Sequence, residues 1–382
     1  MFRKIIDDMI ADSFFGIERS DGYRPPGGLA GSAYSAVFSD YFVSSDRRSG
    51  GNEVPDEGAK KGRHVNDHKK PATKDATILK IIPDKVTECS LGAADENGVC
   101  VDSKTIGKIA KAVDSAGKKS AEVMADAKEK TGCPTQKCVV KTLAGDLHGA
   151  AAIIKTRFKI DGPTDTALAD NVSIDSSLET FAARFRDFYA YNFNMLDYAD
   201  NSFRNGRVVA KPDTLATVNM AELYKKGYRT AGCVINSDVY HGKGKHWMAL
   251  FVDMRRPVLT VEFFNSSGNS PHPTWVNWLV KTRNSLMTLS PTVAGVDDVV
   301  IERVTNIRHQ QSKTECGIYA LFYIYARLCG VGIEYFRKTP IKDQLMFEFR
   351  QHLFTGEKAI DADGRFDYET YRREVSVKWE DE

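Results

Sequence analysis

Four residues in the second half of the 382-residue chain have side chains that can together cleave an amide bond. They are His246, Asn265, Gln310 and Cys316, in that order along the chain. A thiol nucleophile needs a histidine to take its proton, and the histidine needs a neighbour that fixes its tautomer. An amide donor that stabilises the developing oxyanion completes such a set. The four residue types therefore predict nucleophilic catalysis by a cysteine.

Cys316 is the candidate nucleophile. It precedes Gly317 and an apolar run from Ile318 to Ala326, which predicts a position at the N-terminus of a buried helix. The helix dipole and the unpaired N–H groups of a first turn favour the thiolate, the reactive form of cysteine. A single cysteine at a helix start is more often a small core residue, so its assignment depends on the other three candidates.

His246 and Asn265 are predicted to lie side by side in a β-hairpin. Strand-like runs at 247–252 and 258–264 are joined by a short link, and the two residues are nineteen positions apart. This separation places the start of one strand beside the end of its antiparallel partner. His246 is then the general base and acid, and Asn265 orients its ring.

Gln310 is the candidate oxyanion donor, with the backbone N–H of Cys316 as the second donor. Loss of one such donor typically raises the barrier by about 3 kcal/mol. Gln311 follows directly and is the alternative, but the five residues between Gln310 and Cys316 favour Gln310. His241 lies in a polar loop and His309 is adjacent to Gln310, so both are disfavoured as the base.

The segments around these residues alternate between strand and helix patterns. Strand-like runs occur at 233–235, 247–252, 258–264 and 299–301, and helix-like runs at 274–287, 317–328 and 340–354. This alternation predicts an α+β fold with a mixed central sheet and packed helices. A capping box at Ser176–Glu179 predicts an earlier helix with an apolar side that continues to Tyr189. Ser103 is the predicted cap of another helix.

Four cysteines precede the predicted sheet: Cys89, Cys100, Cys133 and Cys138. Zinc ligands usually occur in pairs two to four residues apart, and these spacings do not follow that pattern. Buried free thiols are therefore the favoured interpretation, with a zinc site as the alternative. No other metal or cofactor motif is expected.

Composition restricts the class of protein. The chain has 53 Lys and Arg against 51 Asp and Glu, a net charge of +2, which argues against a generic polyanion binder. The longest apolar run, Ile318–Ala326, is about half of what a membrane span needs, and acidic residues stand where a signal peptide would be apolar. Seven cysteines are typical of a reducing compartment. These features predict a soluble intracellular protein.

The first 75 residues differ from the rest. Residues 2–10 carry apolar side chains at helical spacing and predict an amphipathic helix that packs on the protein's own body. Residues 46–75 have few apolar and many charged residues, which is typical of a flexible linker. Lysines in this linker leave contact with nucleic acid open, although a solvated charge run is favoured.

The candidate residues also carry a resemblance to a known superfamily. His246-Trp247, Asn265-Ser-Ser-Gly268, and Gln310 separated by five residues from Cys316-Gly317 resemble the adenovirus proteases and SUMO-specific proteases. The pattern is most similar to the maturation proteases of large nucleocytoplasmic DNA viruses, the African swine fever virus type. That group uses Asn where the SUMO proteases use Asp.

The resemblance extends beyond the four candidates. Val234–Asp238 and the segment Phe347–Phe354 are similar to motifs of the viral group, and the likeness covers roughly residues 175–354. The segment from Cys89 to Cys138 is more weakly similar to its helical arm domain.

The resemblance implies a papain-like or adenain-like cysteine protease that cleaves viral core polyproteins after Gly-Gly-X sites. It gives the four candidates the roles stated above. It adds Trp247, Asn236 and Gly317 as residues of the substrate groove. No cofactor and no metal is implied. The implied location is the virion and the host cytoplasm, and the implied partner is the viral core shell, bound through the N-terminal domain.

Five regions are predicted: an N-terminal helix with an extended segment (1–45), a flexible polar linker (46–75), a helical arm domain (76–165), a protease core (166–354) and a charged C-terminal tail (355–382). The linker and the tail have no counterpart in the family pattern.

Three other functions remain open. A deconjugase of SUMO or ubiquitin-like modifiers has the same chemistry and also cleaves after glycine pairs. An acetyltransferase effector uses a similar triad. A resemblance to such enzymes would imply a polyphosphate cofactor, and the basic cluster that would bind it is not evident in this sequence. The third is a virion structural protein that keeps the residues of the site without the activity.

Two glycine pairs in the N-terminal stretch match the Gly-Gly-X form. They are Gly27-Gly28-Leu29 and Gly50-Gly51-Asn52. Self-cleavage at these pairs is a hypothesis, against the simpler interpretation that the glycines give flexibility.

Overall fold

The computed structural model describes residues 81–199, 215–217, 219–255, 258–290, 293 and 298–376. The predicted amphipathic helix near the N-terminus and the predicted linker at 46–75 lie outside the described residues.

A five-stranded mixed sheet forms the centre of the described structure. Its strands, in spatial order, are β1 (Phe188–Ala190), β2 (Thr230–Asn236), β3 (Trp247–Asp253), β4 (Leu259–Phe264) and β5 (Val299–Val304). The pairs β1–β2 and β4–β5 are parallel, whereas β2–β3 and β3–β4 are antiparallel. The predicted mixed sheet and the predicted hairpin are thereby confirmed.

The sheet is covered on both faces by helices. Ala249 and Phe251 of β3 belong to the apolar core that contains α8 (Cys316–Leu328), while Leu250 belongs to the core that contains α7 (Pro273–Met287). Because side chains alternate along a strand, burial of both faces makes β3 a continuous apolar run.

Helix α8 is the predicted apolar helix at 317–328, and every one of its thirteen residues is buried. It packs across β2 and β3, which is why its sequence is apolar on all sides. Within the described ranges, no helix is both long and apolar enough to cross a lipid bilayer.

Four helices near the start of the described residues have an apolar core of their own. They are α1 (Ser103–Ala112), α2 (Ser120–Thr131), α3 (Gln136–Thr142) and α4 (Ala150–Arg157). Ile109, Val123 and Val139 lie at the centre of this core. These helices lie within residues 76–165, the region predicted to be a helical arm domain.

The four cysteines of this region form two disulfides, so the prediction of free thiols is wrong. Cys89 pairs with Cys100, and Cys133 pairs with Cys138. The Cα atoms are 5.0 Å and 5.5 Å apart, as a disulfide requires. Spacing along the chain disfavoured zinc but cannot reveal which Cα atoms the fold brings together. The cysteine count is therefore no longer an argument for a reducing compartment.

Two predicted helix starts are also wrong. Helix α5 (Asn171–Arg184) begins before the capping box at Ser176–Glu179, because the Asp170 side chain caps it. It ends at Arg184, and the chain beyond it forms β1 instead of continuing the predicted apolar face. Asp102, not Ser103, caps α1. Several polar residues in each segment are good caps, and local pattern does not choose between them.

The remaining helices are α6 (Met220–Lys225), α9 (Ile333–Lys338), α10 (Asp343–Leu353) and α11 (Tyr368–Ser376). The helix predicted from 340 begins at Asp343, and α11 lies within the predicted charged tail. The described part of that tail packs on the protein, since Tyr371 is buried and Val86 N–H donates to the Gly364 carbonyl (2.7 Å).

Candidate active site

His246 and Asn265 lie side by side at one end of the hairpin. His246 immediately precedes β3, and Asn265 immediately follows β4. His246 Nε2 and Asn265 Oδ1 are 2.8 Å apart. The antiparallel pairing of β3 with β4 brings the two residues together, as the hairpin hypothesis expects.

The surroundings of Asn265 determine the tautomer of His246. Asn265 Nδ2 donates to the Asn269 carbonyl (2.9 Å), so Oδ1 is the atom that faces the ring. Oδ1 also accepts from the Ser267 N–H (3.0 Å) and hydroxyl (2.8 Å). Because Oδ1 can only accept, Nε2 carries the proton, and Nδ1 is the basic nitrogen. Burial lowers the pKa of His246, and the hydrogen bond to Asn265 opposes that shift.

Cys316 is the first residue of α8 and is 4% exposed. Backbone hydrogen bonds from Trp247 and Gly317 reach the thiol, so the sulfur lies next to the residue that follows His246. Burial raises the pKa of the Cys316 thiol, and these hydrogen bonds only partly offset the rise. The N–H groups at the helix start thus favour the thiolate, but burial opposes them and has the larger effect on the pKa. A base must take the proton.

Gly317 and Trp247 pack closely at the start of α8. A Cβ atom on Gly317 would lie 3.0 Å from Ala169 Cβ and 3.3 Å from Trp247 Cδ1. The Trp247 indole N–H donates to the Ala169 carbonyl (3.1 Å), which fixes the ring. Gly317 thus allows the indole to approach the helix start, next to Cys316 in the sequence.

Gln310 lies in the loop between β5 and α8, beside the segment that carries Asn265. The backbone N–H groups of His309 and Gln310 donate to the Ser266 carbonyl at 2.9 Å and 3.0 Å. Gln310 is 6% exposed, whereas the side chain of Gln311 is exposed to solvent. This placement favours Gln310 over Gln311 as the candidate donor.

Asn236 is the predicted groove residue whose position differs most from the expectation. It is 1% exposed, and its Oδ1 accepts from the N–H groups of Asp238 (2.9 Å) and Lys245 (3.1 Å). These contacts brace the loop that leads to His246. A direct groove role for Asn236 stays a prediction.

The two disfavoured histidines occupy other environments. His309 is buried, and its Nδ1 accepts from the Ile341 N–H (3.1 Å). Burial lowers the pKa of His309 to about 4. His241 is exposed and contacts the Tyr240 ring.

A buried ion pair next to the predicted nucleophile was not predicted from the sequence. Glu315 precedes Cys316, and its Oε2 lies 2.6 Å from an Arg350 guanidinium nitrogen on α10, with both side chains fully buried. Arg350 also donates to the carbonyls of Pro163 (3.3 Å) and Ala167 (3.2 Å). The pair ties the start of α8 to the segment before α5. Only an arginine within the apolar pattern of α10 hinted at it.

Metal chemistry has no visible basis in this part of the molecule. Among the residues that the structure describes, no group of three or more His, Cys, Asp or Glu side chains is arranged to hold a metal ion.

The fold and the site together are those of a cysteine protease. Residues 236–363 match a family model described as the Ulp1 protease family, C-terminal catalytic domain. The chain is 38% identical over 238 residues to a cysteine protease of a Malawi isolate of African swine fever virus, which covers 59% of this chain and 85% of that protein. The chain belongs to the Ulp1 family of cysteine proteases.

Within this family the chain is similar to viral members. A protein of a Kenyan isolate of the same virus, named a SUMO-1 cysteine protease, is also 38% identical over the same shares of the two chains. The crystal structure of an African swine fever virus protease superposes with a TM-score of 0.55 and 32% identity, over 72% of this chain and 98% of that one. The expected fold and the expected enzyme class are thereby confirmed.

Proposed function

We propose that this cysteine protease is an endopeptidase that matures viral core polyproteins by cleaving after Gly-Gly-X sites. The observation that carries the proposal is the geometry around the thiol. His246 is held by Asn265 at 2.8 Å, and the backbone of the next residue, Trp247, reaches the Cys316 sulfur. The similarity to viral proteases over most of their length supports the viral setting.

The proposed reaction starts from a neutral thiol and a neutral imidazole. His246 Nδ1 takes the proton of Cys316 as the sulfur attacks the scissile carbonyl carbon. The resulting oxyanion accepts hydrogen bonds from the Gln310 amide and the Cys316 backbone N–H. The imidazolium then protonates the leaving amine, which leaves a thioester on Cys316. Water, deprotonated by His246, hydrolyses the thioester and regenerates the thiol.

We propose that a preference for glycine comes from limited space beside the thiol. Trp247 is half-buried and lies against the start of α8, where even a Cβ atom at Gly317 meets the ring. We propose that a substrate passes along this indole in an extended form, and that glycine residues next to the scissile bond avoid a clash with it.

The test is cleavage of a panel of glycine-containing peptides by the wild-type chain and by Cys316→Ala. Cleavage after Gly-Gly-X by the wild type, and none by Cys316→Ala, is the expected result. A wild-type chain that cuts no member of the panel would contradict the proposal.

The second candidate is a deconjugase of SUMO or ubiquitin-like modifiers. The family description and the name of one viral relative support it. The same experiment, run with reporters that carry the C-terminus of SUMO or ubiquitin, separates the two. Rapid turnover of a reporter with no cleavage of the viral-type peptides would favour the deconjugase.

Two further parts of the proposal concern the rest of the chain. We propose that the region 1–165 binds the viral core shell, and that the protease acts in the virion and at the assembly site in the host cytoplasm. Self-cleavage at Gly28 or Gly51 stays a prediction, since both lie outside the described residues. An intact mass that equals the full chain after long incubation of active enzyme would refute it.

A further inference from the structure

We propose that Ser266 is a positioning residue that anchors the Gln310 amide through its oxygen. The inference rests on the proposed function, because it concerns the same oxyanion donor. Ser266 Oγ lies 2.9 Å from Gln310 Oε1, and Ser266 is 1% exposed. Ser266 directly follows Asn265, so one short segment contacts both His246 and Gln310.

The direction of the amide follows from what each neighbour can do. Gln310 Nε2 lies 2.9 Å from the Ser312 carbonyl, which can only accept a hydrogen bond. The nitrogen must therefore face Ser312, and Oε1 faces Ser266. The Ser266 hydroxyl then has to donate to Oε1. One N–H of the amide is used by Ser312, and the second remains for the oxyanion.

The backbone around this contact is held on two sides. The Ser266 carbonyl accepts from the N–H groups of His309 and Gln310, which fixes the loop relative to the end of β4. On the other side, the Asp343 carboxylate accepts from the N–H groups of Gln311 (3.1 Å) and Ser312 (2.7 Å). The Ser312 carbonyl thus has a fixed position.

The hydroxyl contributes to catalysis by anchoring the amide oxygen. Rotation of the Gln310 amide by 180° would place its oxygen, not its nitrogen, toward the developing negative charge. That flip would also set Oε1 against the Ser312 carbonyl, acceptor against acceptor, and the Ser266 hydroxyl holds the unflipped amide at its other atom. Donation to Oε1 also polarises the amide and strengthens its N–H as a donor.

Ser266→Ala removes only this hydroxyl, and the backbone contacts remain. We expect kcat to fall by about 10- to 100-fold, which is no more than the decrease in kcat caused by removing one oxyanion donor. KM should change less than about twofold. Ser177→Ala is the matched control, because Ser177 is also 1% exposed and its hydroxyl bonds a carbonyl within α5 (2.7 Å). This control should keep the wild-type kcat.

Two measurements separate positioning from general damage. Alkylation of Cys316 by iodoacetamide depends on the thiol and His246 but not on an oxyanion donor, so Ser266→Ala should react at the wild-type rate. In a Gln310→Ala background, Ser266→Ala should cause no further loss of kcat, because the group that it positions is gone.

The outcomes are distinct. Full activity of Ser266→Ala, equal losses with and without Gln310, or alkylation slowed in step with kcat would each overturn the inference. If the wild-type chain cleaves neither the peptides nor the modifier reporters, the proposed function itself fails. A wild-type chain that cleaves them while Ser266→Ala does so equally well removes only the role of Ser266.

Discussion

At the residue scale, the proton balance of the site depends on Asn265. A neutral amide holds the ring through Nε2, and burial keeps the pKa of His246 low, so the base is unprotonated at neutral pH. Burial also raises the pKa of the Cys316 thiol, which favours its neutral form. We therefore expect the proton of Cys316 to pass to His246 as the sulfur attacks the carbonyl carbon, and not before.

This balance predicts the effect of a charge at position 265. In Asn265→Asp, the carboxylate favours the imidazolium, so the pKa of His246 rises and the acid limb of kcat/KM moves up by about one pH unit. In Asn265→Ala, the hydrogen bond that raises this pKa is lost, so the acid limb moves to lower pH and kcat falls at least about tenfold. The measurement is the pH dependence of peptide cleavage.

Asn277→Asp provides the control for Asn265→Asp. It makes the same chemical change on α7, which packs on the opposite face of the sheet from α8. The acid limb should then keep its wild-type position. An unshifted acid limb in Asn265→Asp would contradict the assignment of His246 as the base.

At the element scale, the start of α8 brings the thiol, the indole and the buried ion pair together. Gly317 permits the approach of Trp247, and Glu315 connects α8 with α10 through Arg350. Short contacts on both sides of Cys316 mean that small changes here affect both stability and activity.

Gly317→Ala tests the close packing of this start. Alanine normally stabilises a helix relative to glycine by about 1 kcal/mol. Here its Cβ meets Ala169 and Trp247 at 3.0–3.3 Å, so we expect a loss of about 1–3 kcal/mol in the free energy of unfolding. Peptide cleavage should fall as well, because the indole moves from the thiol. Urea unfolding and kcat measure the two effects.

Gly107→Ala is the control within the same chain. Gly107 is exposed in α1, and a Cβ there meets nothing within 4 Å. This variant should be as stable as the wild type or up to about 1 kcal/mol more stable. Stabilisation by Gly317→Ala of the same size would show that the start of α8 is not closely packed.

Arg350→Met tests the buried ion pair. The substitution leaves the Glu315 carboxylate buried without its partner, which typically costs about 3–5 kcal/mol in the free energy of unfolding. Lys338→Ala, which removes an exposed pair with Glu334, should cost less than about 1 kcal/mol. Equal effects of the two variants in urea unfolding would argue against a structural role of the buried pair.

At the scale of the whole molecule, two buried histidines make stability depend on pH. His309 lies near the active-site loop and His352 on α10, and burial lowers the pKa of each to about 4. In the unfolded chain a histidine titrates near pH 6.5. As the pH falls below that value, the unfolded state binds protons that the folded state does not, so stability is lost.

The expected loss is about 2 kcal/mol for each histidine between pH 7 and pH 5. Combining His309→Asn with His352→Gln should abolish most of this dependence, whereas His148→Gln, at an exposed position, should retain it. Urea unfolding at the two pH values measures the effect. A double variant with the wild-type dependence would show that other groups cause it.

Much of the core was predictable because local patterns reflect it. The strands at 247–252 and 258–264 and the helix at 317–328 are apolar runs bounded by polar residues, and they were predicted almost to their ends. The hairpin then placed His246 beside Asn265, since an antiparallel pair with a short link has one register. The boundaries of α5 were missed because several residues there are equally good caps, and β1 was missed because its apolar residues also fit the helical spacing of α5.

The order and spacing of residues along the chain already define the available chemistry: a thiol at the start of an apolar helix, a histidine and an asparagine on a hairpin, and a glutamine in a loop. The contacts between distant segments became known only from the folded structure. The two disulfides, the Glu315–Arg350 pair and the Ser266–Gln310 hydrogen bond are examples. These contacts depend on distances in space, and a pattern along the chain reports only neighbours within a turn or a strand. The raised pKa of Cys316 has the same kind of origin, because it comes from burial, which no local motif reveals.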